Sequence, residues 1–332
     1  MPIASQQVPA QFLESARALI RRSEHREVVE MMGPMAPVVV GVDGSDASLS
    51  AVDWAADEAA RLSLPLRIVY ASLWEHYEGA VPAWTLDRPS GQVLAENIVA
   101  AGAERVRQRR PGVPVTTDIV AEDAASALLR EGHLADVVVV GSRGRGELAD
   151  LLLGSAALVV AARSSGPVIV VRGDRQALEG RHGRVLLGIG PHDVDSPAVR
   201  FAFREAAARD AELDVVCTWR RQLHEPADHM AMSGDVPRDR EQRAVALVDK
   251  AVEAMAQEHP QVLLRRTTLE GTARKVLTER SAAADILVVG ARRPGSLIGI
   301  ELGRVAHRAL HHAHCPVAVV PQHHDAPVPD AS

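Results

Sequence analysis

The sequence predicts an α/β fold of two tandem doubly wound domains, each a five-stranded parallel sheet (strand order 3-2-1-4-5) with helices on both faces. Short apolar runs alternate with amphipathic helical patterns, which is typical of parallel sheets covered on both sides. The chain is also duplicated, because the segment from Val38 aligns without a gap with the segment from Val185, and Gly141 corresponds to Gly290. Solenoid repeats are only about 20–50 residues long, so a repeat of nearly half the chain indicates two whole domains.

The elements of the first half follow from local patterns. The first strand is the β-branched run VVVGV, and a polar turn separates it from an amphipathic, alanine-rich helix. The runs DVVVVG and PVIVV are apolar enough for fourth and fifth strands that are buried on both faces. We predict strands near 37–42, 66–72, 114–120, 136–141 and 167–172, and helices near 46–63, 90–109, 123–134 and 154–164.

This pattern divides the chain into five segments. They are an N-terminal extension at 1–34, a first domain at 35–174, a linker at 175–182, a second domain at 183–322 and a disordered polar tail at 323–332. Within the extension, residues 11–32 are predicted to be helical. The connections at 74–90 and 219–238 exceed the usual length of about 4–6 residues, and are either lids over a ligand crevice or surface loops.

Composition favours a soluble cytoplasmic protein without a nucleic-acid partner. The 332 residues carry a net charge of −6 with a pI near 6.2, so no basic surface for nucleic acid is predicted. No run approaches the roughly 18 apolar residues of a membrane span, and the N-terminus lacks the apolar core of a signal peptide. Cys217 and Cys315 each lie beside an apolar strand, which indicates buried free thiols in a reducing compartment.

A glycine-rich stretch, GSRGRGELADLLLGS at 141–155, connects the fourth strand to the next helix. A strand, a glycine loop and a helix N-terminus together bind phosphate, because backbone N–H groups can approach an anion and the helix dipole attracts it. The spacing G-x-x-G-x9-G-S matches neither the P-loop nor the dinucleotide-binding motif. In the predicted strand order, Asp43 at the end of the first strand faces this loop across the crevice where such sheets bind ligands.

Together with V-G-V-D-G-S at 40–45 and G-P-V-I-V-V at 166–171, this loop resembles the universal stress protein family. The resemblance extends over most of both halves. It implies a tandem, ATP-binding protein of the cytoplasm, with or without Mg²⁺, that acts in stress adaptation or signalling. No motif residue is an evident general base, so we expect at most slow, incidental hydrolysis and not an enzyme. The resemblance also implies that the fifth strands of the two halves pair, and that chains form a homodimer through another face.

The same resemblance assigns adenine-nucleotide contacts to the first half. Asp43 would contact the adenosine, the backbone of Ala71 would pass near the base, and the loop with the following helix would hold the phosphates. The full set is Gly41, Val42, Asp43, Ala71, Gly141, Ser142, Arg143, Gly144, Arg145, Gly154, Ser155 and Ala156. The alternative for Asp43 is a turn acid, although Ser45 and Asp46 are better placed to cap the next helix. Ser155 has an alternative role as the N-cap of its own helix.

The second half departs from the pattern at three of these positions. In place of Asp43, Gly144 and Ser155 it has Gly190, Arg293 and Arg304. Each change removes an implied contact, so we expect a degenerate second site. The alternatives are a different anion, held by arginines that include Arg292, and retained ATP binding.

Three further interpretations concern weaker signals. A cluster near the end of the last helix contains His307, His311, His312, His314 and Cys315. We interpret the histidines as cations that the dipole favours at a helix C-terminus, and the cysteine as a buried thiol. The alternative is a metal site. A nucleotide-dependent enzyme of a related fold would need an H-x-G-H pair or an S-G-G-x-D loop, and the sequence has neither. A nucleotide-independent interaction module is the other alternative, which the intact loop of the first half disfavours.

Overall fold

Strands and helices alternate along the chain in the expected order. The computed structural model describes residues 35–73, 91–144, 153–191, 193–220, 236–292 and 302–322. The first half contains β1 (Val38–Gly41), α1 (Asp46–Leu62), β2 (Leu66–Ala71), α2 (Gly91–Arg109), β3 (Val115–Val120), α3 (Ala124–Glu131), β4 (Val137–Gly141), α4 (Ser155–Arg163) and β5 (Val168–Val171). After α5 (Arg175–Leu178), the second half contains β6 (Arg184–Ile189), α6 (Pro197–Arg209), β7 (Glu212–Trp219), α7 (Val236–Glu258), β8 (Leu264–Glu270), α8 (Ala273–Arg280), a 3₁₀ turn (Ser281–Ala283), β9 (Ile286–Arg292), α9 (Arg304–His312) and β10 (Val317–Gln322).

These strands form one sheet in the order β3-β2-β1-β4-β5-β10-β9-β6-β7-β8. Each half therefore has the predicted order 3-2-1-4-5, with parallel pairing throughout. The halves join where β5 and β10 pair antiparallel, with Val170 opposite Val317 and Val168 opposite Val319. The predicted pairing of the two fifth strands is confirmed, and it relates the halves by a pseudo-twofold axis.

The core lies on both faces of the sheet because successive strand side chains point to opposite sides. In β1, Val38 and Val40 pack on the face covered by α1 and α2, whereas Val39 packs on the face covered by α3 and α4. The corresponding helices of the second half, α6 with α7 and α8 with α9, continue these two layers. Each apolar layer therefore runs through both halves.

Polar residues determine where several helices begin. The side chains of Ser45, Asp123, Ser196 and Thr272 accept a backbone N–H bond at the starts of α1, α3, α6 and α8. The helices α4 and α9 differ, because their N-caps are Gly154 and Gly303, which provide no side-chain acceptor. The first-turn N–H groups of these two helices therefore remain for other partners.

Several expectations fall on residues outside the described ranges. They include the extension with its helix at 11–32, the connection at 74–90, most of 219–238, the tail at 323–332, Arg145 and Arg293. The expected linker at 175–182 contains the short helix α5. Across the described residues, no helix is both long and apolar enough to cross a bilayer. Both cysteines are buried and free, as expected.

Candidate functional site

A cavity of about 440 Å³ lies at the carboxyl ends of β1 and β4, which are neighbours in the sheet. The chain leaves these two strands toward opposite sides, so the cavity occupies the switch point of a doubly wound sheet. The expected residues that line it are Gly41, Val42, Asp43, Ala71, Gly141, Arg143, Gly144, Gly154, Ser155 and Ala156. The carboxylate and the glycine loop thus face one crevice, as the strand order predicts.

Asp43 uses its two carboxylate oxygens differently. Its Oδ1 accepts hydrogen bonds from the backbone N–H of Ser45 at 2.9 Å and from the Ser45 hydroxyl at 2.6 Å. Ser45 in turn caps α1, with its Oγ 3.2 Å from the backbone nitrogen of Ser48. The Oδ2 atom lies at the loop, 2.7 Å from the position that a β-carbon on Gly144 would occupy. One oxygen therefore holds the turn, and the other lies against the glycine loop at the cavity.

Close packing explains Gly141, the first glycine of the loop. A β-carbon on Gly141 would lie 2.7 Å from the carbonyl oxygen of Ala47, so only glycine lets the start of α1 approach the end of β4. Gly154 donates its backbone N–H to the carbonyl oxygen of Ser142 at 2.8 Å, which joins the two ends of the loop. Ser142 is buried beneath this closure and is not among the residues that line the cavity.

The first turn of α4 faces the cavity. Gly154 is the N-cap and Ser155 is the first helical residue, so the interpretation of Ser155 as the N-cap is wrong. Ser155, Ala156 and Ala157 all line the cavity, and no side chain caps their end of the helix. Their N–H groups and the helix dipole give this edge a partial positive charge.

The sequence patterns gave no indication of the apolar wall of the cavity. Ala124 and Leu128 on α3, together with Val69 on β2, line it opposite the loop. The methyl groups of Leu128 fill the space beside Gly41, where a β-carbon would come within 2.8 Å of one of them. Ser48, on the first turn of α1, also lines the cavity. No local motif connects these helices to the loop, so only the sheet order could have indicated them.

The second half has a corresponding cavity of about 600 Å³ between the ends of β6 and β9. Gly190 provides no carboxylate there, as expected, but Asp193 brings one to the same crevice. Its Oδ2 accepts a hydrogen bond from the backbone N–H of Gly190 at 2.6 Å. The gapless alignment places Asp193 opposite Asp46, the first residue of α1, but α6 begins only at Pro197. The 147-residue offset still holds at the ends of both helices, so the alignment keeps its register and a loop in the second half replaces the first turn of the helix.

Other contacts also distinguish the second crevice. Trp219 and the two arginines of α7, Arg240 and Arg243, line its wall. Burial raises the pKa of the Cys217 thiol, which also lines the crevice, and the negative charge of Asp193 raises it further. Arg304 removes the hydroxyl that Ser155 supplies in the first half, but its side chain lines a neighbouring groove between α8 and α9.

The histidine cluster near the last helix does not assemble a metal site within the described residues. The rings of His307 and His311 are tilted relative to each other, with centroids 4.6 Å apart. Across the described ranges, however, no group of three or more His, Cys, Asp or Glu side chains is placed to hold a metal ion. Burial raises the pKa of the Cys315 thiol well above its ordinary value, so this cysteine stays protonated in the core.

Comparisons with known proteins agree with the fold. A sequence profile described as the universal stress protein family matches residues 35–172 and again 182–321. A universal stress protein of Mycobacterium tuberculosis is 31% identical over 294 residues, which cover 86% of this chain and 97% of that protein. One from Mycolicibacterium smegmatis is 30% identical over 303 residues, which cover 85% and 96%.

A solved structure supports the architecture independently. The crystal structure of a universal stress protein from Archaeoglobus fulgidus superimposes with a TM-score of 0.59 and covers 86% of this chain and 98% of that one. At 17% sequence identity it shows a shared fold. Because the family profile matches twice in tandem and the relatives have the same two-domain length, this chain belongs to the universal stress protein family.

Proposed function

We propose that this universal stress protein binds one ATP per chain in the crevice of its first half, without rapid turnover. The observation that carries the proposal is convergence on one cavity of about 440 Å³. The Asp43 carboxylate, the glycine loop at Gly141 and Gly144, and the uncapped N-terminus of α4 all face it. A carboxylate is suited to ribose hydroxyls, and a helix N-terminus is suited to phosphate.

Different parts of the cavity lining suit the base, the ribose and the phosphates of a nucleotide. In the proposed arrangement the base lies between Ala71 and the apolar wall of Val69 and Leu128, the ribose lies at Asp43, and the phosphates lie at Ser155. Asp43 is the only carboxylate among the described lining residues. Any Mg²⁺ that accompanies ATP would therefore be held mainly by the phosphates.

The proposed absence of rapid turnover rests on the side chains at the phosphate end. No histidine or lysine is among the described lining residues, and Asp43 Oδ1 is engaged by Ser45. This leaves no evident group to orient or deprotonate a water molecule.

For the second crevice we propose a loss of ATP binding. Asp193 supplies a carboxylate, but its Oδ2 is held by the backbone of Gly190. The opposite wall carries Trp219 and two arginines, in contrast to the small and apolar wall of the first crevice. We further propose that the protein acts in the cytoplasm in stress adaptation or signalling, and that its domains span 35–174 and 183–322. We also propose that chains form homodimers, and light scattering would test this.

Equilibrium dialysis with millimolar ATP, with and without Mg²⁺, tests the central proposal. We expect a stoichiometry near one per chain, and loss of binding in Gly144→Val, whose side chain would enter the space of the Asp43 carboxylate. Gly190→Val, which changes the second crevice, is the matched control and should leave the stoichiometry unchanged. A stoichiometry near two that falls to one in Gly190→Val would show that the second crevice has kept ATP binding. Absence of any saturable binding would favour a nucleotide-independent interaction module.

A further inference from the structure

A second groove, separate from both crevices, lies between α8 and α9 on the second half. Its volume is about 440 Å³. Among the described residues that line it, all but one are arginine or histidine, and none is a carboxylate. They are Arg274, Leu302, Arg304, His307, Arg308, His311 and His312.

The three arginines of this groove have no acidic partner among the described residues. Within the described residues, no ion pair involves Arg274, Arg304 or Arg308. By contrast, Arg280 at the end of α8 pairs with the buried Asp214. Like charges collected in one groove give it a positive potential that attracts anions.

The duplicated first half provides an internal comparison. The helices correspond closely, since Asp123 and Thr272 cap α3 and α8, and Gly154 and Gly303 cap α4 and α9. At the positions of the basic groove residues, in order, the first half has Ala125, Ser155, Leu158, Val159, Ala162 and Arg163. The basic groove is therefore specific to the second half and is not a requirement of the fold.

The arginines carry the fixed charge of the groove. The pKa of His311 is lowered by burial and by the neighbouring His307, His312 and Arg172, and the pKa of His312 is lowered as well. At neutral pH these imidazoles can therefore donate N–H groups without adding charge. Guanidinium groups match phosphate oxygens in a bidentate geometry.

We propose that the α8–α9 groove binds a small molecule with two or more linked phosphate groups. Its volume is within the roughly 300–1,000 Å³ of small-molecule pockets. The phosphates would bridge Arg274 on one helix and Arg304 and Arg308 on the other. This site does not depend on ATP binding in the first half.

Calorimetric titration of the full-length chain with inorganic tripolyphosphate tests the proposal. The titration uses the Gly144→Val background, in which the first crevice is closed. The triple variant Arg274→Ala, Arg304→Ser, Arg308→Val introduces the residues of the first half, and we expect it to weaken tripolyphosphate binding at least tenfold. Because all three side chains are exposed, the variant should keep its circular dichroism spectrum.

A charge-matched control separates local binding from net charge. The exposed Arg107, Arg200 and Arg265, all replaced by Ala, give the same change in charge elsewhere on the surface. This control should bind tripolyphosphate as tightly as the background protein. Equal weakening in both triple variants, or no saturable binding to the background protein, would overturn the proposal. The single variant Arg304→Ser gives the same test if the triple variant does not fold.

A parallel titration with ATP shows whether the groove binds an inorganic phosphate chain or a nucleotide. If both ligands bind the background protein and lose affinity in the triple variant, the groove recognises the phosphate chain itself. If only ATP does so, the ligand is a nucleotide. Binding of single-stranded DNA in place of either small molecule would contradict the proposal. The stoichiometry of ATP in the triple variant with an intact first crevice reports separately on the proposed function.

Discussion

At the scale of single residues, Asp43 combines a structural and a proposed binding role in one carboxylate. Its Oδ1 holds the turn that starts α1, while the carboxylate as a whole lines the cavity. The Ser45 hydroxyl that bonds to Oδ1 also caps α1. Removing the side chain would therefore disturb both the turn and the ligand contact, and a test must separate them.

Replacing Asp43 with Ala should weaken ATP binding roughly 10- to 150-fold, because hydrogen bonds to a charged group contribute about 1.5–3 kcal/mol and 1.4 kcal/mol is tenfold. Asp43→Asn keeps an oxygen that can accept from Ser45 and should weaken binding while preserving thermal stability. Asp193→Ala, the corresponding loss of a carboxylate in the second crevice, serves as the control. Calorimetry that finds the same ATP affinity in Asp43→Ala as in the wild type would show that ATP binds elsewhere.

Gly144 and Gly154 lie in the same loop but differ in the space around them, so the same substitution at each can be compared. A β-carbon at Gly144 would come within 2.7 Å of Asp43 Oδ2, whereas one at Gly154 would meet nothing nearer than 3.7 Å. We therefore expect Gly144→Ala to weaken ATP binding at least tenfold and Gly154→Ala to change it much less. Fluorescence titration with a labelled ATP analogue measures both, and equal effects would contradict this account.

At the scale of elements, α1 and α6 meet through a buried charge cluster near the pseudo-twofold axis. Glu58 and Glu205 occupy equivalent positions in the duplicated helices, and both are fully buried. Arg209 Nη2 lies 2.7 Å from Glu58 Oε2 and 3.2 Å from Glu205 Oε2. Burial and the nearby Glu58 charge raise the pKa of Glu205 well above its ordinary value, whereas Arg209 lowers the pKa of Glu58 against the opposing effect of burial.

Because either carboxylate can balance Arg209, Glu58→Gln and Glu205→Gln should each change the free energy of unfolding little. The double variant leaves the buried guanidinium without an ionised partner and should cost about 3–5 kcal/mol. Urea unfolding of the four proteins at pH 7 forms the double-mutant cycle. Additive effects of the two single changes would show that the carboxylates do not share Arg209.

The raised pKa of Glu205 also gives this cluster a pH dependence. The Glu205 carboxyl binds its proton more tightly in the folded than in the unfolded protein, because its pKa is raised in the fold. This contribution to stability is fully present below the ordinary pKa near 4.5, and it is lost as the pH rises through the raised pKa of the folded protein. Glu205→Gln should therefore flatten the fall in the free energy of unfolding above pH 4.5. An unchanged pH profile would assign that fall to other groups.

At the scale of the whole molecule, the β5–β10 pairing and the two shared apolar layers make the halves one folding unit. Both layers contain residues of both halves, so neither half can unfold without exposing the other. We expect a single urea transition, and saturating ATP should raise its midpoint. The added stability should be about 2.7 kcal/mol at a ligand concentration one hundred times Kd. Two transitions, with only one sensitive to ATP, would show that the halves unfold separately.

Much of this arrangement could be predicted because it is encoded locally. The β-branched runs, the amphipathic helices and the duplication lead to two doubly wound domains with the predicted strand order, whereas the pairing of β5 with β10 was implied by the family resemblance. The strand order in turn places Asp43 opposite the glycine loop. Hydrophobic periodicity and turn chemistry act over a few residues, so they can be read without knowing the fold.

Contacts between distant segments were decided only by the tertiary structure. The sequence did not reveal that Asp193 brings a carboxylate to the second crevice, because the residues that align with the first turn of α1 form a loop there. It also did not reveal that Arg304 joins Arg274 in a groove of its own, or that Glu58 and Glu205 meet. In each case the chemistry depends on side chains brought together by packing, and no spacing rule along the chain records that proximity.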